Sequence, residues 1–121
     1  MKSLLFALLC ITPFFTAIDI TGDWSSALQD REGNSIPVTL SFKADTYTAD
    51  FGNDGTVDVA GSYTLEGNQI SMTDREDIEE PCPGTGVYTI LLEGNEMRLE
   101  LVSDDCEVRK GALSTMVMTR Q

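Results

Sequence analysis

Acidic side chains are the most abundant chemically active groups in this sequence, with 20 Asp and Glu against 8 Lys and Arg and a net charge of −12. The acidic run at residues 74–80 offers the oxygen ligands that Ca²⁺ prefers, although we favour a solvated loop there. Residues 50–58 resemble the first part of a calcium-binding loop. However, Gly52 stands where that motif needs Asp or Asn, and Gly61 stands where it needs a bidentate Glu. We therefore predict a hairpin turn at residues 53–55 and no metal site.

Catalysis has little support because the chain has no histidine, which is the commonest general base and transition-metal ligand. A serine hydrolase would lack its base for the same reason. Paired carboxylates for glycoside hydrolysis stay open as an alternative among the 20 acids. We expect a protein that is not an enzyme, with no catalytic residue and no cofactor. The few Lys and Arg also argue against nucleic acid as a partner.

The first 17 residues have the pattern of a secretory signal peptide. Lys2 supplies the early positive charge, a mostly apolar run follows from Leu4, and cleavage is expected after Ala17. The run is short for a membrane span and is interrupted by Thr12 and Pro13. An uncleaved anchor is the alternative. The sequence thus predicts a secreted protein, extracellular or periplasmic, whose domain at residues 18–121 has no stable membrane insertion.

Two cysteines, Cys82 and Cys106, are left once the signal peptide is removed. In an exported domain such a pair most simply forms a disulfide, with Cα atoms within about 7 Å. Two free thiols or a metal pair are the alternatives, although no histidine is present to complete a zinc site.

The elements that position these residues are predicted from an alternation of apolar and polar side chains with a period of two. Turn signals rich in Gly, Asn and Asp separate the apolar stretches, and no window has a convincing helical stripe with caps. About eight strands are expected, at residues 22–28, 36–42, 46–51, 56–65, 69–73, 86–92, 96–102 and 112–119. The predicted fold class is all-β, an antiparallel up-and-down meander that closes into a barrel, with a two-sheet sandwich as the alternative.

A first-strand Gly-x-Trp motif at Trp24 precedes two Gly-x-Tyr segments, at 61–63 and 86–88, and a final Asp-Cys-x-x-Arg at 105–109. This order resembles small exported bacterial lipocalin-like domains of the calycin type, a largely uncharacterised family. The resemblance implies that Trp24 closes one end of the barrel and that a late arginine packs across its indole, with Arg120 as first choice and Arg109 as second. Similar sequences often carry a second Trp where this chain has Met118.

The expected function is that of a monomeric binding module, a lipocalin-like barrel that holds a small apolar or amphipathic ligand. An eight-stranded barrel is just wide enough to be filled by side chains or to hold one such molecule. The alternative is a protein-interaction module, such as a secreted protease inhibitor or an envelope-assembly component, acting through residues 18–21 or the loop at 74–85. The candidate ligand-lining residues, which are core residues by default, are Phe42, Tyr47, Phe51, Tyr63, Tyr88, Leu99 and Met116.

Overall fold

The computed structural model describes residues 18–121, which form eight strands and one short helix. The elements are β1 Gly22–Gln29, β2 Ser35–Phe42, β3 Thr46–Phe51, β4 Val59–Glu66, β5 Gln69–Asp74, β6 Thr85–Glu93, β7 Glu96–Ser103, α1 Glu107–Thr115 and β8 Val117–Arg120. Each strand pairs antiparallel with the next, and β8 pairs with β1. The predicted all-β meander is therefore confirmed as a closed barrel, and the sandwich alternative is wrong.

The barrel forms because the alternating strands turn one face inward, where burial of apolar surface stabilises the fold. In β2, Val38, Leu40 and Phe42 are buried while the residues between them are half-buried or exposed. The same alternation in β3 buries Tyr47 and Ala49. The contributions of all eight strands meet in one apolar core inside the barrel.

The two ends of the barrel differ in how their strands are connected. At the closed end, three tight turns at residues 43–45, 67–68 and 94–95 join β2 to β3, β4 to β5 and β6 to β7. The open end carries the longer connections at residues 30–34, 52–58, 75–84 and 104–116, the last of which contains α1.

Helix α1 corrects the predicted strand at 112–119: the helix extends to Thr115, and strand β8 comprises only Val117–Arg120. The sequence has no convincing helical stripe there, since the buried face of α1 consists of Arg109 and Leu113, one turn apart. A charged residue on the buried face hides the helical stripe, and Gly111 lowers the helix propensity further. Glu107 in the first turn favours the helix through its dipole.

Two smaller departures also concern strand ends. The predicted strand at 56–65 begins only at Val59, because residues 52–58 form a loop whose Asp58 carboxylate accepts the Phe51 N–H. In β7, the alternation that buries Met97 and Leu99 stops before Leu101, which is 42% exposed. There a register shift between Val87 and Tyr88 puts one extra residue into β7.

The predicted signal peptide at residues 1–17 lies outside the described residues. Over residues 18–121, no helix has the length and apolar character that a membrane crossing requires.

Candidate functional site

A cavity of about 650 Å³ lies at the open end of the barrel. Side chains of β2, β3, β4 and β5 form its wall, and the far side is formed by α1 and the residue that follows it. Its buried, mostly apolar floor is made of Leu40, Tyr47, Ala49, Met72, Leu113 and Met116. The loops at 52–58 and 75–84 form its more exposed rim. The cavity therefore has an apolar interior and a polar, solvent-facing entrance.

The candidate lining residues divide between this cavity and the packed core. Tyr47 and Met116 line the floor, and Phe51 lies at the rim with 36% of its surface exposed. Phe42, Tyr63, Tyr88 and Leu99 are buried in the core and do not line the cavity. Phe42, for example, packs edge-on against Tyr63 with ring centroids 5.5 Å apart. Alternation predicts which residues face inward, but it does not predict their depth along the barrel axis.

A polar cluster, made of Tyr47, Asp74, Tyr88, Asp104 and Arg109, is buried in the wall next to the cavity. Arg109 donates from Nε to Asp104 Oδ2 at 2.7 Å and from Nη2 to Asp104 Oδ1 at 3.0 Å. The Tyr47 hydroxyl donates to Asp74 Oδ1 and the Tyr88 hydroxyl to Asp104 Oδ2, each at 2.5 Å. Arg109 Nη1 lies 3.6 Å from Asp74 Oδ1 and has no hydrogen-bond partner within residues 18–121. The bidentate pair with Asp104 compensates the buried charge of Arg109.

These contacts shift the pKa values of Asp104, Tyr47 and Tyr88 in the polar cluster. Burial alone would raise the pKa of Asp104, but hydrogen bonds from Arg109 and Tyr88 outweigh it and lower that pKa to about 2. Burial, together with the hydrogen bond to Asp74, raises the pKa of the Tyr47 phenol. Burial and the hydrogen bond to Asp104 raise the pKa of Tyr88 as well. At neutral pH the Asp104 carboxylate is charged and both phenols are protonated donors.

Two glycines make room for the polar cluster. A Cβ atom at Gly61 would lie 2.5 Å from the Tyr47 hydroxyl, and one at Gly86 would collide with the Asp104 carboxylate. Each glycine begins one of the two Gly-x-Tyr segments of the sequence. Sequence reasoning missed the cluster because Asp74 begins the acidic run and because Arg109 was considered as a partner of Trp24. The repeated Gly-x-Tyr pattern is the signal that could have located it.

The Cys82–Cys106 disulfide is confirmed, with its Cα atoms 5.6 Å apart. It joins the loop at 75–84 to the residue that precedes α1, so it connects two parts of the cavity wall. The polar cluster also contacts both cysteines, since Asp74 accepts the Cys82 N–H and Asp104 accepts the Cys106 N–H, each at 2.9 Å. The disulfide and the polar cluster therefore fix the same side of the cavity.

Removing the disulfide by Cys82→Ser with Cys106→Ser is expected to lower the free energy of unfolding by about 3 kcal/mol, because the unfolded chain is no longer constrained by a loop of about 25 residues. Denaturation by guanidinium, compared with the oxidised wild type, measures the loss. Reduced wild-type protein is the control and should unfold like the double variant. Equal stability of the oxidised and reduced wild type would contradict the prediction.

At the closed end, the Arg120 guanidinium lies over the Trp24 indole, 4.4 Å from the ring centroid. Trp24 is fully buried, and its Nε1 donates to the carbonyl of Ile20 at 2.9 Å. Arg120 also donates to the carbonyls of Thr21 and Asp19 at 2.9 and 3.0 Å. The first choice among the late arginines thus occupies this position, whereas Arg109, the second choice, belongs to the polar cluster at the other end.

These contacts also fix the segment at residues 18–21. Ile20 is 1% exposed and forms part of the apolar core, and Ile18 packs against that core. The segment that was considered for insertion into a partner protein is therefore packed against this chain's own barrel.

The acidic segments do not point to a metal. Asp50, Asp54 and Asp58 have carboxylate oxygens within 4.8 Å of one another, but each accepts backbone N–H groups of its own loop. This loop contains the turn expected at residues 53–55, with Asn53 and Gly55 at positive φ. In the acidic run at 74–80, Asp74 is buried in the polar cluster and the other residues are exposed or half-buried. The expected absence of a metal stays a prediction.

These features define a class of protein: an eight-stranded antiparallel up-and-down β-barrel, closed at one end and hollow at the other, compatible with a lipocalin-like fold. Comparison with models of protein families, with curated proteins and with solved structures finds no match for this chain.

Proposed function

We propose that this protein is an exported, lipocalin-like binding module that holds a small apolar or amphipathic molecule in the cavity at its open end. The observation that carries the proposal is the cavity itself, whose volume of about 650 Å³ is typical of small-molecule sites. Its apolar floor would bury the body of a ligand, and its exposed rim would leave a polar group near water. The disulfide supports export, because such bonds persist in oxidising compartments.

Binding without catalysis is favoured by the state of three ionisable groups in the buried polar cluster beside the cavity. General acids and bases act best when their pKa lies near the operating pH. Here Asp104 has its pKa lowered to about 2, while burial raises the pKa of Tyr47 and Tyr88 above the usual range of a phenol. These groups are suited to holding the wall in place rather than to transferring protons.

A ligand in the cavity has more support than the protein-interaction alternative. Of the two segments considered for a partner, residues 18–21 are packed at the closed end. The loop at 75–84 is held by the disulfide and by the hydrogen bond from Cys82 N to Asp74. Neither is a free segment that extends away from the barrel.

Titration of the oxidised protein with the neutral fluorophore N-phenyl-1-naphthylamine tests this function. Its emission should rise saturably with one site per chain, because the apolar floor excludes water from the probe. The variant Ala49→Phe should weaken binding about tenfold or more, since the new ring would occupy the cavity. Val59→Phe, which enlarges a half-buried side chain of the wall, should also weaken binding of the probe.

Ala44→Phe is the matched control, because Ala44 is exposed in the tight turn at 43–45 of the closed end and does not line the cavity. The emission of Trp24, the single buried indole, reports whether each variant is folded. A wild-type protein that gives no saturable rise would overturn the proposal. Equal binding by folded variants at positions 44, 49 and 59 would overturn it as well.

A further inference from the structure

We propose that the ligand of this cavity is a cationic amphiphile, a molecule with an apolar body and an ammonium group, and that the acidic rim selects it. This inference rests on the proposed function, because it concerns the ligand class of the same cavity. The cavity supplies the site, and the distribution of charge around its entrance supplies the selectivity.

The rim of the cavity is strongly acidic. Four carboxylates, those of Asp58, Asp77, Glu79 and Glu80, line the entrance, against one arginine there, Arg75. Arg75 is already paired with Asp77, to which its Nε donates at 2.9 Å. Within residues 18–121, Glu79 and Glu80 make no ion pair with Lys or Arg. An ammonium group at the entrance would therefore meet unneutralised carboxylates.

The buried part of the wall also carries more negative than positive charge. Arg109 is the cation nearest to the floor, and its guanidinium is committed to Asp104 through two hydrogen bonds. Asp74 lies on its other side, 3.6 Å from Nη1. Arg109 Nη1 has no hydrogen-bond partner within residues 18–121, but it lies between two carboxylates whose combined charge exceeds that of the guanidinium. This net negative charge disfavours a ligand carboxylate relative to an ammonium group.

The neighbouring loop at residues 52–58 adds to the negative potential at the entrance. Asp50 and Asp54 lie next to Asp58, with carboxylate oxygens of the three residues within 4.8 Å of one another. Because a cleft lined by charges of one sign focuses the potential and concentrates counter-ions, the entrance should attract cations in preference to anions. An amphiphilic amine would place its ammonium group near the carboxylates of the rim and bury its apolar body against the floor.

Three probes that share one aromatic body test the charge selectivity: 1-naphthylmethylamine, which is a cation at neutral pH, 1-naphthylmethanol, which is neutral, and 1-naphthylacetate, which is an anion. Calorimetric titration of the oxidised wild type should give the amine an affinity about tenfold or more above that of the anion, with the alcohol between them. The advantage of the amine should shrink as salt is raised, because exposed charges are screened.

The double variant Glu79→Gln with Glu80→Gln should lose several-fold of its affinity for the amine and keep its affinity for the alcohol. Glu66→Gln with Glu93→Gln is the matched control, since these exposed residues lie beside tight turns at the closed end and give the same change in net charge. The control should bind the amine like the wild type.

The outcomes separate this inference from the function on which it rests. The cationic ligand class is wrong if the three probes bind with equal affinities or if the anion binds best. In either case the proposed binding function stands, because the alcohol still binds. Equal weakening of the amine by both double variants would also overturn selection by the rim. If no probe binds, the charge inference and the proposed function fail together.

Discussion

Replacing Trp24 by alanine is expected to lower the free energy of unfolding by about 3–5 kcal/mol. The indole is fully buried at the closed end, so its removal would leave a cavity that the surrounding strands cannot fill. The substitution would also remove the hydrogen bond from Nε1 to the carbonyl of Ile20 and the contact with Arg120. Chemical denaturation followed by far-ultraviolet circular dichroism measures the loss.

Two controls separate the packing of Trp24 from its other contacts. Trp24→Phe should recover much of the stability, because a ring again fills most of the space. Arg120→Ala should be milder than Trp24→Ala, since the stack of the guanidinium on the indole is worth roughly 0.5–2 kcal/mol. Wild-type Trp24 emission typical of an indole in water would contradict the burial on which the prediction depends.

Asp104→Asn is expected to destabilise the protein by about 3–5 kcal/mol, although the amide has nearly the same size as the carboxylate. The side chain of Asp104 is fully buried and provides both oxygens to Arg109. Its replacement would leave a buried guanidinium whose nearest carboxylate is Asp74, with Nη1 3.6 Å from Oδ1. Denaturant unfolding of the purified variant gives the change in the free energy of unfolding.

Asp105→Asn is the matched control for Asp104→Asn, because Asp105 is the exposed neighbour and loses the same charge. Since the pKa of Asp104 is lowered from 3.8 to about 2 on folding, its ionisation stabilises the protein above about pH 4. That contribution, on the order of 2 kcal/mol, is lost as the pH falls from about 4 to 2. The wild type should show this loss and Asp104→Asn should not. Equal stability of the two Asn variants at neutral pH would refute the role of the pair.

The barrel could be predicted from the sequence because its strands are regular over most of their length. Residues 36–42 alternate strictly, and turns such as Gly67-Asn68 and Gly94-Asn95 mark where the chain reverses. Both glycines have φ of +61°, a conformation that favours glycine in tight turns. Local pattern and turn chemistry together therefore fix the order of the strands.

The open end could not be predicted in the same way, since its structure depends on long-range contacts. From the sequence, Asp74 is one more acidic residue of a solvated loop. In the fold it accepts a hydrogen bond from the hydroxyl of Tyr47, which is 27 positions away in the chain. The sequence makes Arg109 a candidate partner of Trp24, whereas the fold places it on the buried face of α1, where it pairs with Asp104. The position of the cavity likewise depends on how far along the barrel axis each inward side chain lies. The alternation of apolar and polar residues does not predict this depth.

Closure of the barrel depends on the pairing of its first strand, β1, with its last strand, β8. Only Trp24 with Arg120 and Ser25 with Thr119 pair across this seam, and the hydrogen bond from Arg120 to Thr21 spans 99 positions of the chain. Contacts so distant in sequence form slowly, because the ordering entropy of the loop between them is lost first. Until β8 is present this seam cannot close, and the edges of β1 and β7 that pair with β8 stay unpaired.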